Sequence, residues 1–172
     1  RAIRDVYKRQ AAQSSLNPDA NTVQWLDDSE QLAWRHMVES WRLMMAVLDK
    51  DLRVAYGIGI PEYEVLVRLS ESEDWSCRMS ELAYEIGMSR SRLTHIVARM
   101  EKRGLVERES AVGDGRGVRC CMTDAGWELL QEAAPTHVAG VRENFVDVLD
   151  PVELKALGEM YEKVHTHLRE LA

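Results

Sequence analysis

At 172 residues the chain is long enough to bury a core without disulfide or metal staples, and one compact unit is the starting expectation. Hydrophobic residues at 45% and charged residues at 30% fit a soluble globular protein, and no stretch approaches the roughly 18 uninterrupted apolar residues of a membrane span. A formal charge of −7 excludes a uniformly nucleic-acid-binding surface, because phosphate repels an acidic one.

Residues 1–24 open on Arg1 and carry charges without an apolar centre, so they do not read as a secretory signal and a cytoplasmic location follows. They are polar and without sustained period, which reads as a disordered tail, with its nativeness left open. Residues 25–172 read as a single domain. Asp28 with Gln31 forms a capping box for a long first helix, along which Leu32, Met37, Trp41, Met44, Met45, Leu48 and Leu52 recur at helical spacing. These apolar positions spread wider than one stripe, which suggests burial against more than one neighbour, a second subunit among them. Gly57-Ile58-Gly59 ends the helix.

Pro61 suits the first turn of a short second helix carrying Tyr63, Leu66 and Leu69, and Glu71 to Cys77 reads as a polar loop. Ser80 can cap a third helix that buries Leu82, Ala83 and Ile86 and stops at Gly87. Ser89 caps a fourth, which runs to about Arg103 and stops at Gly104. Two short apolar segments, Leu105 to Glu109 and Val118 to Met122, flank a glycine-rich turn and predict a hairpin. Thr123 and Asp124 begin a fifth helix whose Trp127, Leu130, Ala134, Val138, Val141, Phe145 and Val148 step by three or four, with Pro135 expected to kink or split it. Asp150-Pro151-Val152-Glu153 combines an N-cap, a first-turn proline and a capping-box acid. The sixth helix that follows carries a stripe near heptad spacing, Leu154, Leu157, Tyr161, Val164, Leu168 and Leu171, suited to packing along another helix. The predicted fold is mainly α with a small β-hairpin wing.

Charge is unevenly spread along this plan. Between Cys77 and Cys121 nine bases stand against six acids, a local excess of three that leaves −10 on the remainder. On a helical wheel of about 100° per residue, Leu93, Ile96, Val97 and Met100 of the fourth helix share one face. Ser91, His95, Ala98 and Lys102 point the other way, with Arg92, Thr94 and Arg99 on the flanks. Such an outer face fits a major groove, where Arg reads guanine and Ser, Thr or His bonds bases or phosphates. The third helix, joined through Gly87-Met88-Ser89, completes a helix-turn-helix. Arg116 at the hairpin tip has the charge to enter a minor groove, and Asp114 is expected to pair with an arginine, Arg119 among the candidates.

In these residues the chain resembles the MarR (multiple antibiotic resistance regulator) family of transcription factors. The resemblance lies in Met79-Ser80-Glu81-Leu82-Ala83, Ser89-Arg90-Ser91-Arg92-Leu93-Thr94-His95 and Met100-Glu101-Lys102-Arg103-Gly104-Leu105-Val106-Glu107-Arg108. It continues through Asp114-Gly115-Arg116-Gly117 to Met122-Thr123-Asp124-Ala125-Gly126, and order and spacing agree from about Trp34 to the carboxyl end. The resemblance implies a homodimer that presents two winged helix-turn-helix units to a pseudo-palindromic operator. It implies residues 60–123 as the DNA-binding part and 25–56 plus 124–172 as a dimerisation part, with Leu154, Leu157, Tyr161, Val164 and Leu168 at the interface. Its DNA contacts carry over to the recognition helix, Ser89, Arg90, Ser91, Arg92, Thr94, His95 and Arg99, and to the wing pair Asp114 and Arg116; beside them, Lys102 and Arg103 read as bases that neutralise phosphate and Arg119 as a further DNA-binding candidate. Members usually repress, and many release DNA on binding a small phenolic or other aromatic anion.

Trp34, Arg35, His36, Trp41 and Arg42 cluster where the resemblance places effector pockets, and aromatic walls with a cation suit an aromatic carboxylate; core packing and surface ion pairs account for the same residues. Cys120 and Cys121 should face opposite sides of a strand and so cannot readily bridge each other; an oxidant-sensing regulator is one alternative reading, inert thiols the plainer one. His165 and His167 lie two apart on a helix, unlike the i, i+4 spacing that chelates metal, so neither metal nor cofactor is implied. No nucleophile elbow, phosphate loop, HExxH or dinucleotide fingerprint is present, which excludes the common enzyme classes. A winged helix used only for protein interaction would keep the fold without needing a cationic outer face on the fourth helix.

Overall fold

A computed structural model describes residues 24–110 and 117–171 of the chain. They are mainly helical, with one small antiparallel sheet. Helix α1 spans Asp28–Tyr56. Its capping box sits one residue earlier than the pattern suggests: Asp27 and Glu30 each accept the other's backbone N–H at 2.8 Å, while the Gln31 amide donates to the Leu26 carbonyl. An aspartate outside the helix can turn its carboxylate onto the first-turn N–H groups, which Asp28, already helical, cannot. The chain divides within α1 into two units, residues 1–42 and 43–172. In the first, Leu32, Met37 and Trp41 stand exposed on the single chain, although their spacing predicts burial, and Trp34 is exposed with them. In the second, Leu48 and Leu52 enter the core and Met44 and Met45 pack against it.

Helix α2 (Ile60–Glu71) runs through the middle of that core and buries Ile60, Tyr63, Val65, Leu66 and Leu69. After it, a 3-10 turn at Glu73–Trp75 leads into strand β1 (Ser76–Arg78), where the pattern suggests only a loop. Three residues are too few for a period to register, and the strand exists through its pairing with β3 (Val118–Met122), with Cys77 opposite Cys120 and Arg78 opposite Arg119. Asp74 and Trp75 hold positive φ angles of 53° and 51°, an uncommon region for a bulky residue. The Trp75 ring is fixed there by stacking on Trp127, centroids 4.9 Å apart and 24° between planes.

Helix α3 (Met79–Glu85) begins one residue before the expected cap, so Ser80 lies inside its first turn and Arg78 holds the N-cap position, where its side chain does not cap the helix. Helix α4 (Arg90–Lys102) is capped as expected by Ser89, whose hydroxyl accepts from the Arg92 N–H. Gly87 and Gly104 stop α3 and α4 at φ of 62° and 71°, values that favour glycine. Strand β2 (Val106–Ser110) pairs with β3 from Val106 opposite Met122 to Ser110 opposite Val118, giving the sheet order β1-β3-β2. The wing is therefore a hairpin with a third strand laid against it.

Helix α5 (Asp124–Asn144) is capped by Thr123 and runs unbroken through Pro135, against the expected split. A missing N–H and a steric clash with the carbonyl four residues back oppose proline here, and packing overrides them. Its buried face is Gly126, Leu130, Ala133 and Gly140, with Val138 exposed and Ala134 half-buried. Gly140 lets Leu48 approach closely, and the Tyr56 hydroxyl meets the Thr136 hydroxyl at 3.0 Å, so α1 and α5 touch at these two points. The helix ends at Asn144, and the expected continuation to Val148 is a separate 3-10 turn at Val146–Val148. Helix α6 (Pro151–Glu170) starts with the predicted capping box, Asp150 accepting from Val152 and Glu153 and the Glu153 carboxylate accepting from the Asp150 N–H. None of its residues is buried, and Tyr161, Val164, Leu168 and Leu171 are exposed. Among the described residues no helix is long and apolar enough to cross a membrane.

Candidate nucleic-acid interface

Helix α4 divides as its wheel predicts. Leu93, Ile96, Val97 and Met100 are at most 3% exposed, and each such side chain contributes about 1.5–3 kcal/mol to folding. Arg90, Ser91, Arg92, Thr94, His95, Arg99 and Lys102 are exposed, with Ala98 half-buried. The core residues thus fix the rotation of the helix and aim its polar face outward. Ser89 spends its hydroxyl on the cap, and Thr94 donates its own to the Arg90 carbonyl at 2.8 Å, so toward a ligand Thr94 offers lone pairs.

Three of the bases assigned to DNA have protein partners. Arg99 donates to Glu62 at 2.6 Å, and Glu62, only 6% exposed, also accepts from the Gly59 N–H. That pair ties the outer flank of α4 to the start of α2. Arg103 donates to the carbonyls of Tyr56 and Gly57 at 3.1 and 2.8 Å, satisfying the open end of α1. Arg119 donates to the Ser76 hydroxyl and carbonyl at 2.8 and 3.0 Å and so holds β1 on β3. Arg92 lies near Glu64, whose half-buried carboxyl is pushed up by desolvation and pulled back by Arg92 and Arg68. Arg90 and Lys102 make no ion pair among the described residues. Asp114 and Arg116, at the wing tip, lie outside the described residues.

One brace escaped the pattern: Arg108 on β2 donates twice to Glu101 near the end of α4, and this bond draws the Glu101 carboxyl below its ordinary range. Seven residues separate the two across a helix end and a turn, so no periodicity relates them. Arg78 likewise carries no motif signal, and with Ser80, which the motif includes, it stands beside Arg90 and Thr94 along a cleft of about 380 Å³ closed by Gly117 and Val118.

All three cysteines are free thiols. Cys120 is fully buried and Cys121 partly exposed, its sulfur 3.2 Å from the Ser76 hydroxyl, so the pair faces opposite sides as the strand requires. Burial pushes the Cys120 thiol up to about 12 and raises Cys77 as well, which keeps the reactive thiolate scarce at neutral pH. In native protein at pH 7.5, about one unit below the ordinary thiol pKa, iodoacetamide is expected to modify Cys121 while Cys120 stays unmodified until denaturant is added. Mass spectrometry of the labelled peptide checks this, and native labelling of Cys120 would count for an oxidant-sensing role. Trp34, Arg35, His36, Trp41 and Arg42, the suggested effector residues, are all exposed along α1.

A sequence profile of the MarR family matches residues 56–117. The crystal structure of AbsC, a MarR family transcriptional regulator from Streptomyces coelicolor, is 43% identical, covers 86% of this chain and 99% of its own, and superposes with a TM-score of 0.78. The chain belongs to the MarR family. Its relatives there include Sco3205 from Streptomyces coelicolor, a MarR regulator solved in complex with DNA, at 41% identity, 86% and 92% coverage and a TM-score of 0.80. The transcriptional repressor MprA of Escherichia coli K12 is 36% identical over 81 residues, 47% of this chain, and the match spans only 46% of MprA. MarR proteins are DNA-binding transcriptional regulators and not enzymes, so the chain is placed among regulators with a winged helix fold.

Proposed function

We propose that this MarR protein is a sequence-specific DNA-binding repressor that acts as a homodimer on a pseudo-palindromic operator. The observation that carries the reading is the division of α4: four apolar residues locked in the core, and Arg90, Ser91, Arg92, Thr94 and His95 exposed together on its amino-terminal half. That half of a recognition helix reaches deepest into a major groove. Residues 60–123 form the DNA-binding part in this reading, and residues 25–56 with 124–172 the dimerisation part. Lys102 neutralises phosphate and Arg116 reaches a minor groove, while Arg99, Arg103 and Arg119 act mainly by holding α4 and the wing in place. A dimer must match half-sites about 34 Å apart, so any ligand that changes the spacing of the two α4 helices changes affinity. The effector proposed is a small phenolic or aromatic anion, supported by Trp34 and Trp41 lying exposed on one helix with Arg35, His36 and Arg42.

The test is fluorescence anisotropy on the protein's own upstream DNA and on a scrambled duplex over a salt series, with and without an aromatic carboxylate such as benzoate. Tighter binding upstream is expected, with a log–log salt slope of about −0.9 per neutralised phosphate. Arg116→Ala should weaken both duplexes, and His95→Ala should chiefly narrow the difference between them. A folded dimer that binds neither duplex at low salt would move the protein-interaction reading to the front.

A further inference from the structure

The link between α1 and α2, Gly57-Ile58-Gly59, is held from three sides. On the α1 side, Asp49 accepts the Ile60 N–H at 2.9 Å while Arg53 donates to the same carboxylate at 2.6 Å. From α5, the Thr136 hydroxyl meets that of Tyr56, one residue before the link. From α4 come two arginines four residues apart, a spacing that sets them on one face of the helix. Arg99 reaches Glu62, just inside α2, and Arg103 reaches the carbonyls of Tyr56 and Gly57. Ile58 between them is 1% exposed, so the link is packed as well as bonded.

The two arginines differ in what they join. Arg99 and Glu62 both lie within the part proposed to bind DNA, where the apolar face of α4 already fixes its rotation. Arg103 bonds out of that part, into the last turn of α1, a helix assigned to the dimerisation part. The end of a helix carries partial negative charge on its unpaired carbonyls, so a planar guanidinium spanning two of them grips that end in one orientation. An ammonium, a point charge on a flexible stem, grips without orienting. We infer that Arg103 is a positioning residue that fixes the angle between α4 and α1, and thereby the half-site spacing that the dimer accepts. The inference rests on the reading of the chain as a dimeric operator-binding protein and adds to it the joint through which α1 governs α4. One base pair more or less changes the separation of two half-sites by about 3.4 Å and their relative rotation by about 34°, so both α4 helices would have to move. A joint held by Arg103 resists that movement, and a loosened one permits it.

Anisotropy tests this on the upstream operator and on copies with one base pair inserted or removed between its half-sites, with Arg103→Lys and Arg103→Met beside native protein. Residue 103 is exposed, so both variants should keep the core, and circular dichroism and light scattering check that they are folded and dimeric. Arg103→Lys alone decides the spacing question if Arg103→Met does not fold. Native protein is expected to lose roughly 100-fold in affinity on either altered spacing, where the two half-sites cannot be engaged together. In both variants that loss should shrink by about tenfold, the equivalent of one charge-assisted hydrogen bond. Neither variant should change the salt slope, because a guanidinium bonded to carbonyls neutralises no phosphate. If both variants keep the native spacing penalty, or native protein is indifferent to spacing, the joint is refuted while the DNA-binding reading stands. A slope shallower by about 0.9 per subunit in Arg103→Met alone, with the spacing penalty unchanged, would make residue 103 a phosphate contact and overturn the inference as well. If native protein binds no duplex, both fall together.

Discussion

Alanine at position 126 is expected to destabilise the protein by about 3 kcal/mol, at the upper end for overpacking by one methyl. A Cβ there would lie 2.2 Å from the Leu105 carbonyl oxygen and 2.9 Å from Met122 Cγ. The methionine can move, but the carbonyl is pinned because it accepts the Thr123 N–H at 3.2 Å. The Thr123 hydroxyl in turn donates to the Gly104 carbonyl at 2.6 Å and accepts from the Gly126 N–H. One clash therefore strains the knot where α4, the wing and α5 meet. Thermal unfolding at fixed protein concentration should show Tm lowered by roughly 6–12 °C. Gly140→Ala is the graded comparison: its new methyl would crowd Leu48 Cδ2, at 2.7 Å, a side chain that can shift, and lie at ordinary contact distance, 3.9 Å, from Asp51 Oδ2. A smaller loss is expected there, and equal melting of Gly126→Ala and native protein would show that Leu105 yields more readily than its bonds imply.

How much of this was legible in the sequence depends on the range of the interaction. Helix ends set by local chemistry could be read directly, such as the Ser89 cap, the Asp150 box and the stop at Gly104. The buried face of α4 could be read because four apolar residues at helical spacing leave only one rotation. Strand β1 could not, since Ser76 to Arg78 becomes a strand only by meeting β3 more than forty residues on, as the Ser76 and Cys121 register shows. Nor could the fates of Arg99, Arg103 and Arg119, because a charge on a polar face reads alike whether it awaits a phosphate or already serves Glu62, the Tyr56 carbonyl or Ser76. The family motif marked the positions of the site, and only packing distinguished the residues that face outward from those that hold them.

The largest functional effect is expected from charges placed on α6. This helix of 20 residues has no fully buried residue within its own chain, Leu154 and Leu157 being half-buried, yet Tyr161, Val164, Leu168 and Leu171 continue a near-heptad stripe into solvent. A helix with so little tertiary packing is marginal alone, and a stripe of that spacing is satisfied by a second helix alongside. In the proposed dimer the stripe is covered by the partner subunit. Val164→Asp with Leu168→Asp alters two side chains that are 52% and 57% exposed on the single chain, so the second unit's core should survive and its far-ultraviolet spectrum should change little. Burying two carboxylates at an apolar interface is strongly unfavourable, and light scattering should report the mass of one chain. Losing the second half-site contact removes the gain from linked binding, so operator affinity should fall by roughly 100-fold or more. Scrambled DNA, which offers no paired half-sites, should lose less. A variant that stays dimeric would show that α6 does not carry the interface, and a monomer that still binds the operator with native affinity would show that one winged helix suffices.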